Sequence, residues 1–304
     1  MYYRDYNTFL RELFGVKVYK ISIDAGFSCP NIDGTVGTTG CIYCNNKSFS
    51  PSYRQGLKTI QEQIEVGMQI GKKYKAKKFL AYFQPHTNTH ASVEELEKIY
   101  RSVLISPDIV GIVIGTRPDA VDSAKLDLLE ELSKEMFVSI EYGLQSISNK
   151  TLQWIQRGHT FESYLQAMEW TKNRNLHVCT HIMFGFPGED REQILETVKI
   201  LNEVQTNGVK LHNLLIVRDT LLASMYEQNP FKLLSFDEYV SLICDFIERL
   251  NPNVICERLY AITPAEYLIA PQWQRSPTQV VDAVNVEFAR RGTKQGIFYN
   301  KELA

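Results

Sequence analysis

The sequence predicts an α/β fold built on a parallel sheet, and three observations carry that prediction. Short β-branched and apolar runs alternate with longer segments of helical period, and the alternation repeats six times. Several of the helical segments open on residues that satisfy orphan amide donors. Strand–helix units in unbroken order imply parallel strands joined by right-handed crossovers. Two architectures remain open at this level: a doubly wound sheet, or a full or partial (β/α) barrel. Both place working residues at the C-terminal ends of the strands.

The expected strands are Val18–Ile23, Lys78–Phe83, Ile109–Ile114, Phe137–Gly143, Val178–Phe184 and Val209–Val217. Between them, helices are expected at Thr59–Lys73, Val93–Leu104, Ser123–Glu135, Phe161–Arg174 and Arg191–Gln205. Ser92 precedes Glu95 by three and Asp190 precedes Gln193 by three, the spacing of a reciprocal capping box. Gly208 sits where a left-handed C-terminal cap is expected. After Thr220 the pattern loosens. Ser235 with Glu238 opens a helix to Leu250, Asn253–Ile262 reads as a further strand, and Ser276-Pro277 opens a helix ending at Arg291-Gly292.

Composition narrows the class. With 33 basic and 35 acidic side chains and a net charge of −2, the chain is neither a charged disordered segment nor a broadly basic nucleic-acid binder. The start Met1-Tyr2-Tyr3-Arg4-Asp5 lacks the basic and apolar regions of a signal peptide. No apolar run approaches the ~20 residues of a membrane span. The expectation is a cytoplasmic protein with no membrane partner, in which thiols stay reduced.

Six Cys in 304 residues are too sparse for a disulfide framework, yet Cys29, Cys41 and Cys44 fall within sixteen residues. Their segment follows the first strand directly and carries Pro30, Gly34, Gly37 and Gly40, a loop able to wrap around a ligand. Structural zinc normally takes four protein ligands, and ordinary iron–sulfur sites take four Cys. Here no fourth Cys or His is near: the next candidates are His86, His90 and Cys179. A [4Fe–4S] cluster held by three thiolates would leave one iron open to a substrate or cofactor. A zinc site borrowing a distant His, or three unrelated core thiols, are the competing readings. Cys179, Cys244 and Cys256 form no ligand motif and read as buried thiols.

Two further features are read from the residues. In Ser139-Ile-Glu-Tyr-Gly-Leu-Gln145, alternation puts Ser139, Glu141, Gly143 and Gln145 on one face. Parallel strands are normally apolar on both faces, so something polar should meet that face, whether a ligand or a core salt bridge. Lys72–Lys78 holds five Lys in seven positions, a hydrated helix end or a phosphate contact.

The arrangement of three Cys, the last two spaced by two residues, after strand one resembles the radical S-adenosylmethionine (SAM) superfamily. The motifs Cys-Pro-Asn-x-Asp-Gly and Gly-Cys-x-aromatic-Cys-Asn place it near the branch of the Elongator catalytic subunit and the oxygen-independent coproporphyrinogen dehydrogenases. The likeness runs from Val18 to Gln295-Gly296. It implies a partial (β/α)6 barrel over 18–220, preceded by a segment 1–17 and followed by a C-terminal α/β extension over 221–304.

The resemblance also implies cofactors and contacts. Cys29, Cys41 and Cys44 would hold a [4Fe–4S] cluster, and SAM would bind at its open iron. Tyr43 would lie against the adenine, which Gly185 would let approach the backbone. Gln84, with Thr87, would replace the glycines that grip the SAM amino group in relatives. Thr116 or Arg117 would face the cofactor, as would Glu141, the Gly143-Leu-Gln145-Ser segment would meet the ribose and methionine end, and Arg157 would pair with the SAM carboxylate. His181 occupies a position of polar cofactor contact. The implied partners are an electron donor such as flavodoxin or ferredoxin, and tRNA, in particular a wobble-uridine side chain. A small molecule such as a tetrapyrrole, or a peptide, is the alternative substrate class; a zinc-stabilised interaction protein is the alternative outside enzymes.

Overall fold

The computed structural model describes residues 1–51, 56 and 59–299. The six predicted strand regions form β1 (Val18–Ile23), β2 (Lys78–Phe83), β3 (Ile109–Thr116), β4 (Phe137–Gln145), β5 (His177–Phe184) and β6 (Gly208–Asn213). They stand in chain order, all parallel, in one curled sheet. The predicted Val209–Val217 strand is broken after Asn213, because Leu214 N turns back to Phe184 O and Asn213 Oδ1 accepts from Ala261 N. Its remainder is β7 (Ile216–Val217), which leaves the main sheet. Of the predicted Asn253–Ile262 strand only β8 (Ile255–Arg258) forms. β8 pairs with β6 as a seventh parallel strand, so part of the expected extension completes the barrel wall. β9 (Leu268–Ala270) pairs antiparallel with β7.

The helices are α1 (Tyr6–Phe14), α2 (Asn46–Phe49), α3 (Ile60–Lys73), α4 (Val93–Arg101), α5 (Ser123–Leu132), α6 (Asn149–Trp154), α7 (Phe161–Thr171), α8 (Arg191–Glu203), α9 (Leu221–Gln228), α10 (Phe236–Arg249) and α11 (Pro277–Arg291). Capping boxes close at Asp190/Gln193 and Ser235/Glu238. At Ser92 the hydroxyl accepts from Glu95 N, but the return bond from Glu95 that would complete the expected box is not among the bonds of the described residues. Several predicted helices end about a turn early, where a turn residue takes over. Gly208 is not a left-handed cap: Gln205 supplies the positive φ after α8, and Gly208 is the first residue of β6. A side chain at Gly208 would lie 2.6 Å from Glu257 Oε1, which explains the residue there.

β2 shows why the sheet curls around two different cores. Phe79, Ala81 and Phe83 face the helices, while Leu80 and Tyr82 face inward. The inward pair packs with Val18, Val113 and Ile255, and with Tyr6 and Leu10 of α1. The N-terminal helix therefore plugs the lower end of the half-barrel. Both faces of the strands are dry there, as parallel sheets require.

The lysine run lies at this lower end too. Lys72 and Lys73 close α3, and Lys78 opens β2 in register with Val18, whereas the cysteine loop follows the opposite end of β1. Lys78 pairs with Asp108 at 3.1 Å, and Arg290 and Arg291 are each engaged by Glu287 at 2.7 Å. The placement favours the hydrated helix end over a contact with a substrate at the strand tips. Among the described residues, no helix is long and apolar enough to cross a membrane.

Candidate active site at the strand tips

The loop after β1 folds on itself before it meets anything else. Ile32 N and Asp33 N donate to Cys29 O at 2.8 and 3.1 Å, Val36 N donates to Pro30 O, and Cys44 N donates to Cys41 O at 3.0 Å. Ile42 N then donates to Ile155 O at 3.1 Å, which ties the Cys-x-x-Cys turn to the end of α6. The turn presents the three thiols to one cavity of about 220 Å³.

Arg157, just beyond α6, is buried beneath them. Its Nη2 donates to Gly143 O at 2.9 Å and its Nη1 to Cys41 Sγ at 3.5 Å. Asn31 Nδ2 also donates to Cys41 Sγ, at 3.5 Å. Arg117 holds Arg157 from behind: Nη1 donates to Arg157 O at 2.7 Å, while Asp119 accepts from Nε at 2.9 Å and Nη2 at 2.7 Å. A Cβ at Gly143 would lie 2.6 Å from Arg157 Nη2 and 2.8 Å from Gln145 Nε2, so any side chain there would displace these groups from the cavity wall.

Do these residues fit a cluster and SAM? Burial, with Cys41 and Cys29 beside it, pushes the Cys44 thiol up to about 12. Three thiolates this close do not ionise together without a cationic partner, which an iron cluster supplies. Among the described residues, no group of three His, Cys, Asp or Glu closes on one metal ion. A cubane makes no such demand, because it takes its three thiolates on three different irons. Thr87 Oγ1, Asn46 Oδ1 and His212 Nε2 line the same cavity, are buried, and have no hydrogen-bond partner among the described residues. Buried polar atoms are rarely left so, and a polar ligand in the cavity would satisfy them.

Of the residues expected to meet the cofactor, Tyr43, Gln84, Thr116, Glu141, Gln145, Arg157 and His181 all line this cavity with the three Cys. Gly185 does not. Its φ of +98° serves the turn after β5, its Cβ direction points at Leu234 and Leu214, and it borders a separate cleft. Arg117 buttresses Arg157 and is absent from the wall, where Thr116 stands. Cys179, Cys244 and Cys256 are buried away from the loop.

Beneath the cavity the barrel interior is charged, which the strand-four pattern only half announced. Glu141 accepts from Lys210, lies 3.7 Å from Lys20 Nζ, and meets His181 Nε2 at 3.0 Å. Burial pushes its carboxyl up, but Lys210 and Lys20 outweigh that and hold it well below the usual carboxylate range. Lys20 also lies 3.7 Å from Glu257, which bonds His177 at 2.8 Å. Glu141 is thus a member of a salt-bridged network, and what it presents upward is an oriented His181. His181 stacks on His212 with ring centroids 5.3 Å apart. Lys20, Lys210, His212 and Arg258 were not expected from sequence. The signal was alternation in Lys210-Leu-His212, the same one read in β4.

His159 adds a pH dependence. Burial and the Arg157 guanidinium lower its pKa from 6.5 to about 3. The folded chain keeps this imidazole neutral while the unfolded chain protonates it, so stability is lost as pH falls from about 6.5 towards 3. The slope is about 1.4 kcal/mol per pH unit. Between about pH 7.5 and about pH 5.5, His159→Gln should lose about 1 kcal/mol less stability than the parent in chemical denaturation. Equal losses would show that His159 is not held neutral.

A curled parallel sheet with three thiols over its strand tips and a polar cavity beneath them defines an enzyme that works through a bound cluster. Residues 33–201 match the Radical SAM superfamily and residues 206–290 the Radical_SAM C-terminal domain. YtqA of Bacillus subtilis is 38% identical over 302 residues, covering 98% of this chain and 93% of that protein. YhcC of Escherichia coli is 38% identical over 265 residues, covering 87% and 85%. The fold superposes on Elp3 of Methanocaldococcus infernus with a TM-score of 0.70 at 18% identity, covering 94% of this chain and 68% of that one. The chain belongs to the radical SAM superfamily. It is a radical SAM enzyme, and its cofactors are a [4Fe–4S] cluster and SAM.

When bound, the cluster and SAM would supply reductive SAM cleavage as the source of radical chemistry on a substrate. Cys29, Cys41 and Cys44 are the residues that would hold it. Arg157 and Asn31 donate towards the Cys41 sulfur and stabilise thiolate charge. Tyr43, Arg157 and Gly143 line the site beside the thiols, where keeping water from a reactive intermediate would protect it.

Proposed function

We propose that this radical SAM enzyme modifies the side chain of a wobble uridine in tRNA, processing a carboxymethylaminomethyl group, in the cytoplasm and with a flavodoxin- or ferredoxin-type electron donor. The observation that carries the reading is the cavity's second half. Beyond the thiols and the expected cofactor contacts it continues to His212, Arg258, Ala261, Ile262 and Thr263, a partly polar wall contributed by β6 and the C-terminal region. SAM contacts belong beside the cluster, so this wall is left for the second reactant. Supporting it, the tRNA uridine(34) acetyltransferase of Methanocaldococcus jannaschii is 29% identical over 183 residues, covering 59% of this chain and 33% of that protein.

The test is incubation of the reconstituted enzyme, SAM and reductant with tRNA from a strain lacking the gene. Nucleosides are then analysed by mass spectrometry. A change in a modified wobble uridine is the expected result. Unchanged nucleosides, with SAM cleavage intact, would overturn tRNA as the substrate and leave a small molecule or peptide.

A further inference from the structure

Among the described residues, Arg258 is the cation beside the Glu141–Glu257 network for which no carboxylate is provided. The interior network contains three fixed cations, Lys20, Lys210 and Arg258, and two carboxylates, Glu141 and Glu257. Both carboxylates are taken by the lysines and by His181 and His177. The Arg258 guanidinium makes no hydrogen bond or ion pair among the described residues, although the residue is half-buried and lines the reaction cavity. A guanidinium withdrawn from water without a partner is costly, so an ion should meet it.

Its position is built rather than incidental. The β6–β8 pairing shifts register between Val209–Cys256 and Lys210–Arg258. A bulge of this kind re-aims side chains, and here two consecutive residues reach inward: Glu257 to His177 and Lys20, and Arg258 to the cavity. Beside Arg258 stands His212, whose Nε2 is buried without a partner. Burial holds His212 and His181 below the ordinary imidazole range, so neither adds charge at neutral pH; His181 gives its single N–H to Glu141, and His212 is the imidazole whose Nε2 is open to a ligand.

We infer that Arg258, with His212 beside it, receives an oxyanion of the second substrate, a carboxylate or a phosphate. The guanidinium fork matches either group bidentately. A guanidinium with neither carboxylate nor hydrogen-bond partner matches a single anion, which would satisfy His212 Nε2 in the same step. The inference needs only that this cavity is the reaction site. It stands apart from the tRNA reading, although a carboxymethylaminomethyl group carries a carboxylate of this kind.

The probes are acetate and inorganic phosphate, titrated calorimetrically at low ionic strength into cluster-loaded enzyme already saturated with SAM. Saturable binding of at least one anion is expected, and which one binds separates the two sources. Arg258→Met and Arg258→Gln should weaken it by about tenfold or more, and Arg258→Lys should recover part of the loss. Iron content and circular dichroism establish that each variant is folded. No saturable binding to the SAM-bound parent, binding seen only without SAM, or unchanged affinity in both neutral variants would each overturn the assignment. None of these outcomes depends on whether tRNA is modified.

Discussion

Cys44→Ala, purified and reconstituted without oxygen, should retain little of the about four iron per chain expected of the parent. It should form no detectable 5′-deoxyadenosine from SAM and dithionite. The expectation follows from the count of ligands. Three thiols line the cavity, and no other Cys or His joins them in a metal-ligand group among the described residues. The loss of one therefore has no substitute nearby. Burial, with Cys41 and Cys29 beside it, also raises the Cys44 thiol, so its ionisation depends on a cationic partner. By contrast, Cys244→Ala, far from the loop in the helical layer, should keep iron and activity, because that sulfur packs against α11 near Val284 O. Full iron and activity in Cys44→Ala would remove the three-thiolate site.

The second large effect is on stability. Lys210→Met should destabilise the fold by about 3–5 kcal/mol at neutral pH, the range for removing one member of a buried ion pair. Lys210 and Glu141 are both essentially inaccessible to solvent. Without Lys210, Glu141 keeps only Lys20 at 3.7 Å and His181 at 3.0 Å. The pH dependence has a definite sign. The Glu141 carboxyl is held well below its ordinary 4.5, so its contribution is present above that value and is lost as pH falls through the lower folded pKa. The variant lacks most of that contribution, so the gap between parent and Lys210→Met should be widest near neutrality and narrow below about pH 4.5. Adding Glu141→Gln to Lys210→Met should recover part of the loss by removing the stranded charge. Denaturant midpoints across this pH range check it. A gap that does not vary with pH would mean that packing, and not charge pairing, is what Lys210 supplies.

The two variants probe different depths of one architecture. The cysteine loop crosses the upper end of the half-barrel, where α6 and Arg157 brace it. The charged network lies below, and α1 seals the end beneath. His181 joins the levels: its Nε2 meets Glu141 in the network while its ring borders the cavity. Damage to the network should therefore reach the cavity through the orientation of His181, and damage to the loop should leave the network intact.

Local signals were legible where chemistry depends on neighbours in sequence. The Cys29–Cys44 loop, the Ser235 and Asp190 capping boxes and the Pro277 helix start needed only near residues to be read, and the structure shows each. The same holds for the six strand regions, whose apolar alternation is a short-range pattern. The cavity wall was legible in part, since strand tips of a parallel barrel converge wherever the strands pair in order. Tyr43, Gln84, Thr116, Glu141, Gln145, Arg157 and His181 meet there for that reason.

Other features required partners distant in the chain. The break after Asn213 depends on bonds to Phe184 and Ala261, and the role of Gly208 depends on Glu257 crossing it. Gly185 has the φ of a residue that lets a ligand approach, yet Leu234 from beyond the barrel covers it. Most consequential is the place of β8. The sequence predicts a strand within Asn253–Ile262, but its pairing beside β6 as part of the barrel wall, and its bulge, cannot be seen without β6. The sequence alone determined the parallel α/β class and the three-thiol loop, because both are written in spacing. Only the tertiary structure decided that Glu141 belongs to Lys210 and that Arg258 faces the cavity unpaired, because charge compensation is settled by distance in space.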